Sequence, residues 1–229
     1  MYEQNFDTTQ ENPSSISHFT ETFQRHFRTI DAEPFSEASI GKVYRAELTD
    51  STEVVIKVIK GDFRPSFVRD VAQLKRYFRG MIFFYPKLAK VADPIGTLED
   101  LERMTLSELD LRNEISGIET LQKTLTQHQD FLKTAVQFPL SFPHTYPELS
   151  SEMILVSDRL TGKSFRELLE THTLPYPVLL DFFFQHVFCM LLDGYFHEDI
   201  HSGNIFYQDE KIYLLDNGSI GFASERLRK

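Results

Sequence analysis

Two short runs near the end of the chain restrict its fold more than anything else in the sequence. They are Phe196-His197-Glu198-Asp199-Ile200-His201-Ser202-Gly203-Asn204 and Leu214-Leu215-Asp216-Asn217-Gly218. Between them, residues 204–207 and 212–215 are β-prone and flank a polar turn, which predicts a hairpin. A carboxylate at Asp199, followed by Asn204 and Asp216 across that hairpin, is the set that phosphoryl transfer uses: one group near the acceptor hydroxyl and two oxygen donors for magnesium. Such donors suit Mg²⁺, a hard cation that completes its octahedron with water and phosphate oxygens. Two other readings stay open. The Asp and Asn side chains could simply cap and bend a turn-rich loop, or His197, Asp199 and His201 could ligate a transition metal. In the phosphoryl-transfer reading, His197 packs and orients the loop, and His201 stands where protein kinases carry a phosphate-facing Lys.

The rest of the chain supplies the order of elements around these runs. Phe19, Phe23 and Phe27 recur at helical spacing after a polar tail, predicting a short helix before Pro34. Residues 42–48 and 53–59 are β-rich and separated by Thr49-Asp50-Ser51-Thr52, which predicts a hairpin. Helices are expected over 66–78 and 97–127, with Pro86 and Pro94 marking the break. A second hairpin is expected from 144–148 and 153–158, then helices over 165–171 and 177–195. Strands, helices, more strands and then a helical part with a catalytic-type loop is the order of a protein kinase.

Three upstream features fit that order. Val54-Val55-Ile56-Lys57 places Lys57 like a phosphate-binding lysine, and a lysine in so apolar a run is costly unless paired; an outward-facing Lys on an alternating strand is the plainer alternative. Gly41, in Ser36-Glu37-Ala38-Ser39-Ile40-Gly41-Lys42-Val43, stands in register with the third glycine of a phosphate loop. Glu108, Asp110 and Glu114 follow on the long helix. Asp110 and Glu114, four apart, are expected to share a face, and Glu114 is the expected partner of Lys57; a solvated acidic helix face is the alternative.

Together, Pro-Phe-Ser-Glu-Ala-Ser-Ile-Gly-Lys-Val, Glu108-x-Asp110 with Glu114 beyond it, and His-Glu-Asp-Ile-His-Ser-Gly-Asn resemble the UbiB/AarF (ADCK) family of atypical kinases. In that family an alanine-rich loop replaces the glycine-rich one, and helices are inserted between the strand Lys and the helix Glu. The resemblance implies an α+β, protein-kinase-like fold: a polar tail and short helix over 1–33, a five-stranded N-lobe over 34–158, and a partial, truncated helical C-lobe over 159–229. It implies ATP and Mg²⁺ as cofactors. Ala38, Ser39, Gly41, Val43, Lys57, Glu114, Asp158 and His201 would surround the nucleotide, and Asn204 and Asp216 the metal. Asp199, Glu108 and Asp110 would face the acceptor. It also implies a role in ubiquinone or related prenyl-lipid biosynthesis, with a quinone precursor and a membrane surface as partners. A binding-only pseudokinase fragment and a small-molecule phosphotransferase similar to aminoglycoside or choline kinases are the alternatives.

The sequence departs from the family pattern in four places. Ser36 and Glu37 stand where alanines are usual, Asn217 replaces the Phe of Asp-Phe-Gly, the family's N-terminal Lys-x-Gly-Gln motif has no counterpart before Pro34, and only thirteen residues follow Asp216. The last departure leads us to expect an exposed apolar face on the helix over 177–195, and with it self-association.

Composition excludes other classes. With 229 residues, 41% hydrophobic and 25% charged, the chain is that of an ordinary globular protein. A net charge of -10 argues against nucleic-acid binding, which needs clustered Lys and Arg. The lone Cys189 rules out an internal disulfide and is expected to be a buried, inert thiol. The opening residues carry no Lys or Arg and match neither a secretory signal nor a transit peptide. Asp181, Gln185, His186 and Asp193 interrupt the most apolar stretch, so a buried helix is expected there rather than a membrane span, and a cytoplasmic or membrane-peripheral location.

Overall fold

The computed structural model describes residues 24–37, 41–61, 64–87 and 93–228. The expected helix through Phe19 and Phe23 lies outside these residues. Two compact units divide the chain between Glu102 and Arg103.

The first unit is built on β1 (Phe27–Ile30), β2 (Ser36–Glu37), β3 (Gly41–Leu48) and β4 (Glu53–Ile59). β3 pairs antiparallel with the other three, and Gly41↔Ile59 through Glu47↔Glu53 set its register with β4. The expected hairpin forms because alternation puts Val54, Ile56 and Val58 on the buried face. Its turn closes where Thr52 N–H donates to Asp50 Oδ1 at 2.9 Å, with Ser51 in the left-handed region at φ 73°. Phe27, expected on a helix, is instead a buried strand residue opposite Leu48; an apolar side chain at helical spacing fits a sheet edge equally well once a partner strand is present.

Two helices follow, α1 (Arg64–Phe84) and α2 (Pro94–Glu108). α1 runs beyond the expected end at 78 and buries Val71 alone. Lys75 reaches Glu102 at 2.6 Å. The single helix expected over 97–127 is broken at Leu109-Asp110-Leu111 and resumes as α3 (Arg112–Gln127). Periodicity continues across the break, but the chain turns there to bury both leucines, and Leu111 N–H donates to Glu152 O at 2.9 Å.

The second unit continues with α4 (Gln129–Ala135), β5 (Leu140–Ser141), β6 (Ile154–Asp158), β7 (Lys163–Ser164), α5 (Phe165–Glu170) and α6 (Tyr176–Asp193). Then come β8 (Tyr195–His197), β9 (Ile205–Gln208), β10 (Lys211–Leu214), β11 (Ile220–Phe222) and α7 (Glu225–Arg228). The expected β9–β10 hairpin is present, with Ile205↔Leu214 as the pair furthest from its turn; β5 adds to β10 in parallel and β7 to β9 antiparallel. Residues 144–148 do not form the expected strand. One bridge, Thr145↔Ser157, is followed by a 3₁₀ turn at Pro147–Leu149, where proline removes the next ladder donor.

The core gathers Phe165, Phe182, Val178, Ile205, Ile212 and Leu214 around the hairpin. α6 is buried along Val178, Phe182, Gln185 and Cys189 only. Leu180, Phe183, Phe184, Val187, Leu191 and Leu192 are exposed, which corrects the expectation of a buried helix and agrees with that of an exposed apolar face. By length and composition α6 is long and apolar enough to cross a membrane. Its polar residues grip the segment before β5. Asp181 Oδ2 accepts from the Gln137 and Phe138 N–H groups at 2.9 Å each, and Gln185 Oε1 accepts from Leu140 N–H at 2.8 Å. Burial and the nearby Asp193 carboxylate push the Cys189 thiol up to about 12, the inert state expected. Gly194, at φ 86°, ends the helix; a Cβ there would stand 2.6 Å from Ala223 O.

Candidate functional site

His197, buried at the end of β8, ties the two sequence runs together. Its Nδ1 accepts from Asp199 N–H at 3.1 Å, so the ring proton sits on Nε2, which donates to Asp216 O at 2.9 Å. One neutral imidazole therefore fixes the loop of Asp199 against the segment of Asp216. With both nitrogens so used, His197 has no lone pair left for a metal. Among the described residues, no group of three or more His, Cys, Asp or Glu could hold one.

Burial pushes the His197 pKa below its ordinary 6.5, against the opposing pull of the Leu215 and Asp216 carbonyls. Burial, then the charge of His197, lowers His186 as well. A folded pKa below the unfolded one means the unfolded chain takes up protons first, so this stability is complete above 6.5 and lost as pH falls below it. Melting temperature should therefore drop between about pH 7 and pH 5, and His197→Gln should flatten that slope; equal slopes in both proteins would show that His197 does not titrate this way.

Asn204 and Asp216 flank the open end of the β9–β10 hairpin. Leu215 N–H donates to Asn204 O at 2.8 Å, one step beyond the last strand pair at the open end, which brings Asn204 beside the Leu215-Asp216 peptide. Asp216 is exposed and left-handed at φ 59°. The Asn204 amide nitrogen is buried without a hydrogen-bond partner. Two neighbouring side chains that carry oxygen donors, the Asn204 Oδ1 and the Asp216 carboxylate, are of the kind that fits a hard cation. Asp199 and His201 are exposed on the preceding loop, where His201 Nδ1 accepts from Gly203 N–H at 3.1 Å.

α3 presses on the same segment. Glu114 lies in its first turn with 6% of its surface exposed, and a Cβ on Gly218 would stand 3.4 Å from Glu114 Cγ. One turn on, a Cβ on Gly117 would come within 1.9 Å of Asn217 O. Asn217, in the place of the usual Phe, is 1% exposed; its Nδ2 donates to Leu214 O at 3.0 Å while its Oδ1 is buried without a partner. Gly117 and the Asn217 amide are absent from the sequence reading. A glycine inside a helical pattern was the available signal for the first.

Glu108 ends α2 in an exposed position, and Asp110 sits in the break before α3. The shared helix face expected for Asp110 and Glu114 therefore does not exist, because Asp110 lies in the break and only Glu114 is on α3. Asp110 instead holds Arg112 with both oxygens, at 2.8 and 2.6 Å. At the end of β6, Asp158 Oδ1 accepts from Tyr146 Oη at 2.9 Å.

In the first unit, Val43 stands directly opposite Lys57 in the β3–β4 ladder. Lys57 is half-buried, on the face opposite Ile56 and Val58. Gly41 opens β3, where a Cβ would lie 3.2 Å from Val58 O. Glu37 pairs with Lys60 at 3.0 Å, which holds its carboxyl below the usual range. Ala38 and Ser39 lie outside the described residues. Lys57 and Glu114 belong to different units, and their pairing is part of the functional proposal below.

A strand-rich unit followed by a helical one, whose buried His joins a loop Asp to an Asp-Asn-Gly segment, defines a protein-kinase-like protein. The Rv3197–erythromycin complex from Mycobacterium tuberculosis has the same fold at a TM-score of 0.67, with 20% identity, covering 91% of this chain and 52% of that one. The chain belongs to the ABC1 atypical kinase-like family, whose domain matches residues 5–229. It is 32% identical to a probable protein kinase UbiB of Vibrio vulnificus (strain CMCP6), over 80% of this chain and 33% of that protein. To the same-named protein of Aliivibrio fischeri (strain MJ11) it is 33% identical, over 79% and 32%. The chain thus spans about a third of the length of these curated relatives.

Proposed function

We propose that this chain binds ATP with Mg²⁺ and works as an atypical kinase or ATPase. The observation that carries the reading is the hairpin mouth, where Asn204 adjoins the Asp216 segment and His197 fastens the Asp199 loop to it. Asn204 and Asp216 would hold the metal, which when bound neutralises phosphate charge. Lys57 would hold phosphates and Glu114 would orient Lys57. Ala38, Ser39, Gly41, Val43 and His201 would line the phosphate side, and backbone near Asp158 would meet adenine. Asp199 is the candidate base, and Glu108 and Asp110 would shape the acceptor side. The UbiB resemblance supports a further proposal, that the acceptor belongs to ubiquinone or related prenyl-lipid biosynthesis and is met at a membrane surface.

Thermal melting with ATP tests the reading. With Mg²⁺ at roughly 100 times Kd, binding to the folded state should add about 2.7 kcal/mol, and chelating the metal should remove most of it. No shift at millimolar ATP with Mg²⁺ would sink the proposal. A shift without phosphate release or transfer in the presence of quinone precursors would instead favour the binding-only reading.

A further inference from the structure

Asn217 is almost wholly buried, yet its amide is only half used. Nδ2 donates to Leu214 O at 3.0 Å, while Oδ1 has no hydrogen-bond partner among the described residues. A buried oxygen left unpaired costs stability, and a hydrocarbon side chain in the same place would avoid that cost. Stability therefore does not explain an amide here. What the amide supplies, and a hydrocarbon cannot, is the bond to Leu214 O.

That bond reaches back from 217 to 214 and so encloses Asp216. Asp216 is left-handed at φ 59°, a conformation that residues other than glycine rarely adopt and that persists only where the surroundings fix it. Two contacts do so. Before the peptide that joins Asp216 to Asn217, the buried His197 Nε2 donates to Asp216 O at 2.9 Å; beyond it, the Asn217 amide ties the chain back to the end of β10. The same end of β10 bonds Asn204, through Leu215 N–H and Asn204 O at 2.8 Å. Asn217 thus links the segment of Asp216 to the strand end that holds Asn204.

We infer that Asn217 is a positioning residue: by bonding Leu214 O, its amide holds Asp216 left-handed and sets where the Asp216 carboxylate stands relative to Asn204. This rests on the reading of Asn204 and Asp216 as the metal donors.

Asn217→Leu and Asn217→Ala test it, since both delete the amide while one enlarges the side chain and the other shrinks it. Melting of the whole chain is followed as Mg²⁺ is added at a fixed concentration of ADP, and again with ADP and a chelator. In both variants the Mg²⁺ concentration that gives half of the metal-dependent shift should rise about tenfold or more. The shift given by ADP with chelator should stay at the wild-type value. Added to Asp216→Asn, either change should cause no further loss of metal dependence, because a positioning residue acts only through the group it positions. Should Asn217→Leu fail to fold, Asn217→Ala alone decides. Wild-type metal dependence in the folded variants, a loss in one folded variant but not the other, or a further loss on top of Asp216→Asn would overturn the inference and leave Asn217 a packing residue. A wild-type chain with no Mg²⁺-dependent shift would overturn the metal reading itself, and this inference with it.

Discussion

Replacing Gly117 by alanine is expected to destabilise the second unit by roughly 2 kcal/mol, against the gain of about 1 kcal/mol that the same change gives in an unhindered helix. The added methyl carbon would stand 1.9 Å from Asn217 O and 3.0 Å from both Asn217 C and Ile220 Cγ1. Two of those three atoms are backbone, so no rotamer change relieves the clash, and either α3 or the 217–218 segment must move. Urea unfolding would show this as a lower midpoint at unchanged slope. Because Asp216 precedes the displaced carbonyl, stabilisation by ATP and Mg²⁺ should fall in the same variant. A raised midpoint would mean that α3 and the Asp-Asn-Gly segment stand further apart than described.

Removing the Asp216 carboxylate is expected to abolish most of the metal-dependent stabilisation by ATP, a loss of about 2 kcal/mol at ligand concentrations near 100 times Kd. Asp216 is exposed, and its φ of 59° matters for the choice of variant. Alanine in the left-handed region costs on the order of 1 kcal/mol, whereas asparagine tolerates it. Asp216→Asn should therefore lose the ligand effect while keeping the melting temperature of the free chain, and Asp216→Ala should lose both in part. An unchanged ATP shift in Asp216→Asn would remove this residue from the metal site.

Where side chains act locally, the sequence was enough. Val54, Ile56 and Val58 alternate because a strand exposes every second residue, so β4 and its register with β3 were legible. The β9–β10 hairpin was legible from two β-prone runs around a polar turn, and with it the neighbourhood of Asn204 and Asp216. The His197 role as an orienting group followed from the loop's order of residues, and its two hydrogen-bonded nitrogens agree with that.

Elsewhere the sequence determined what each segment could be but not which option it took. Periodicity over 97–127 is compatible with one helix; the break at Leu109-Asp110-Leu111 exists because burying both leucines and bonding Leu111 N–H to Glu152 O outweighs continuing the turn. The apolar composition of α6 allows burial on every side, yet only the stripe of Val178, Phe182, Gln185 and Cys189 is buried among the described residues, since burial depends on which elements arrive rather than on the helix itself. Gly117 reads as a flaw in α3 until the Asn217 carbonyl is placed against it. Residue types and their short-range spacing thus determined the chemistry available to this chain. Which carbonyl meets which helix face is a contact between residues a hundred positions apart, set by the packing of whole elements, and only the tertiary structure decides it.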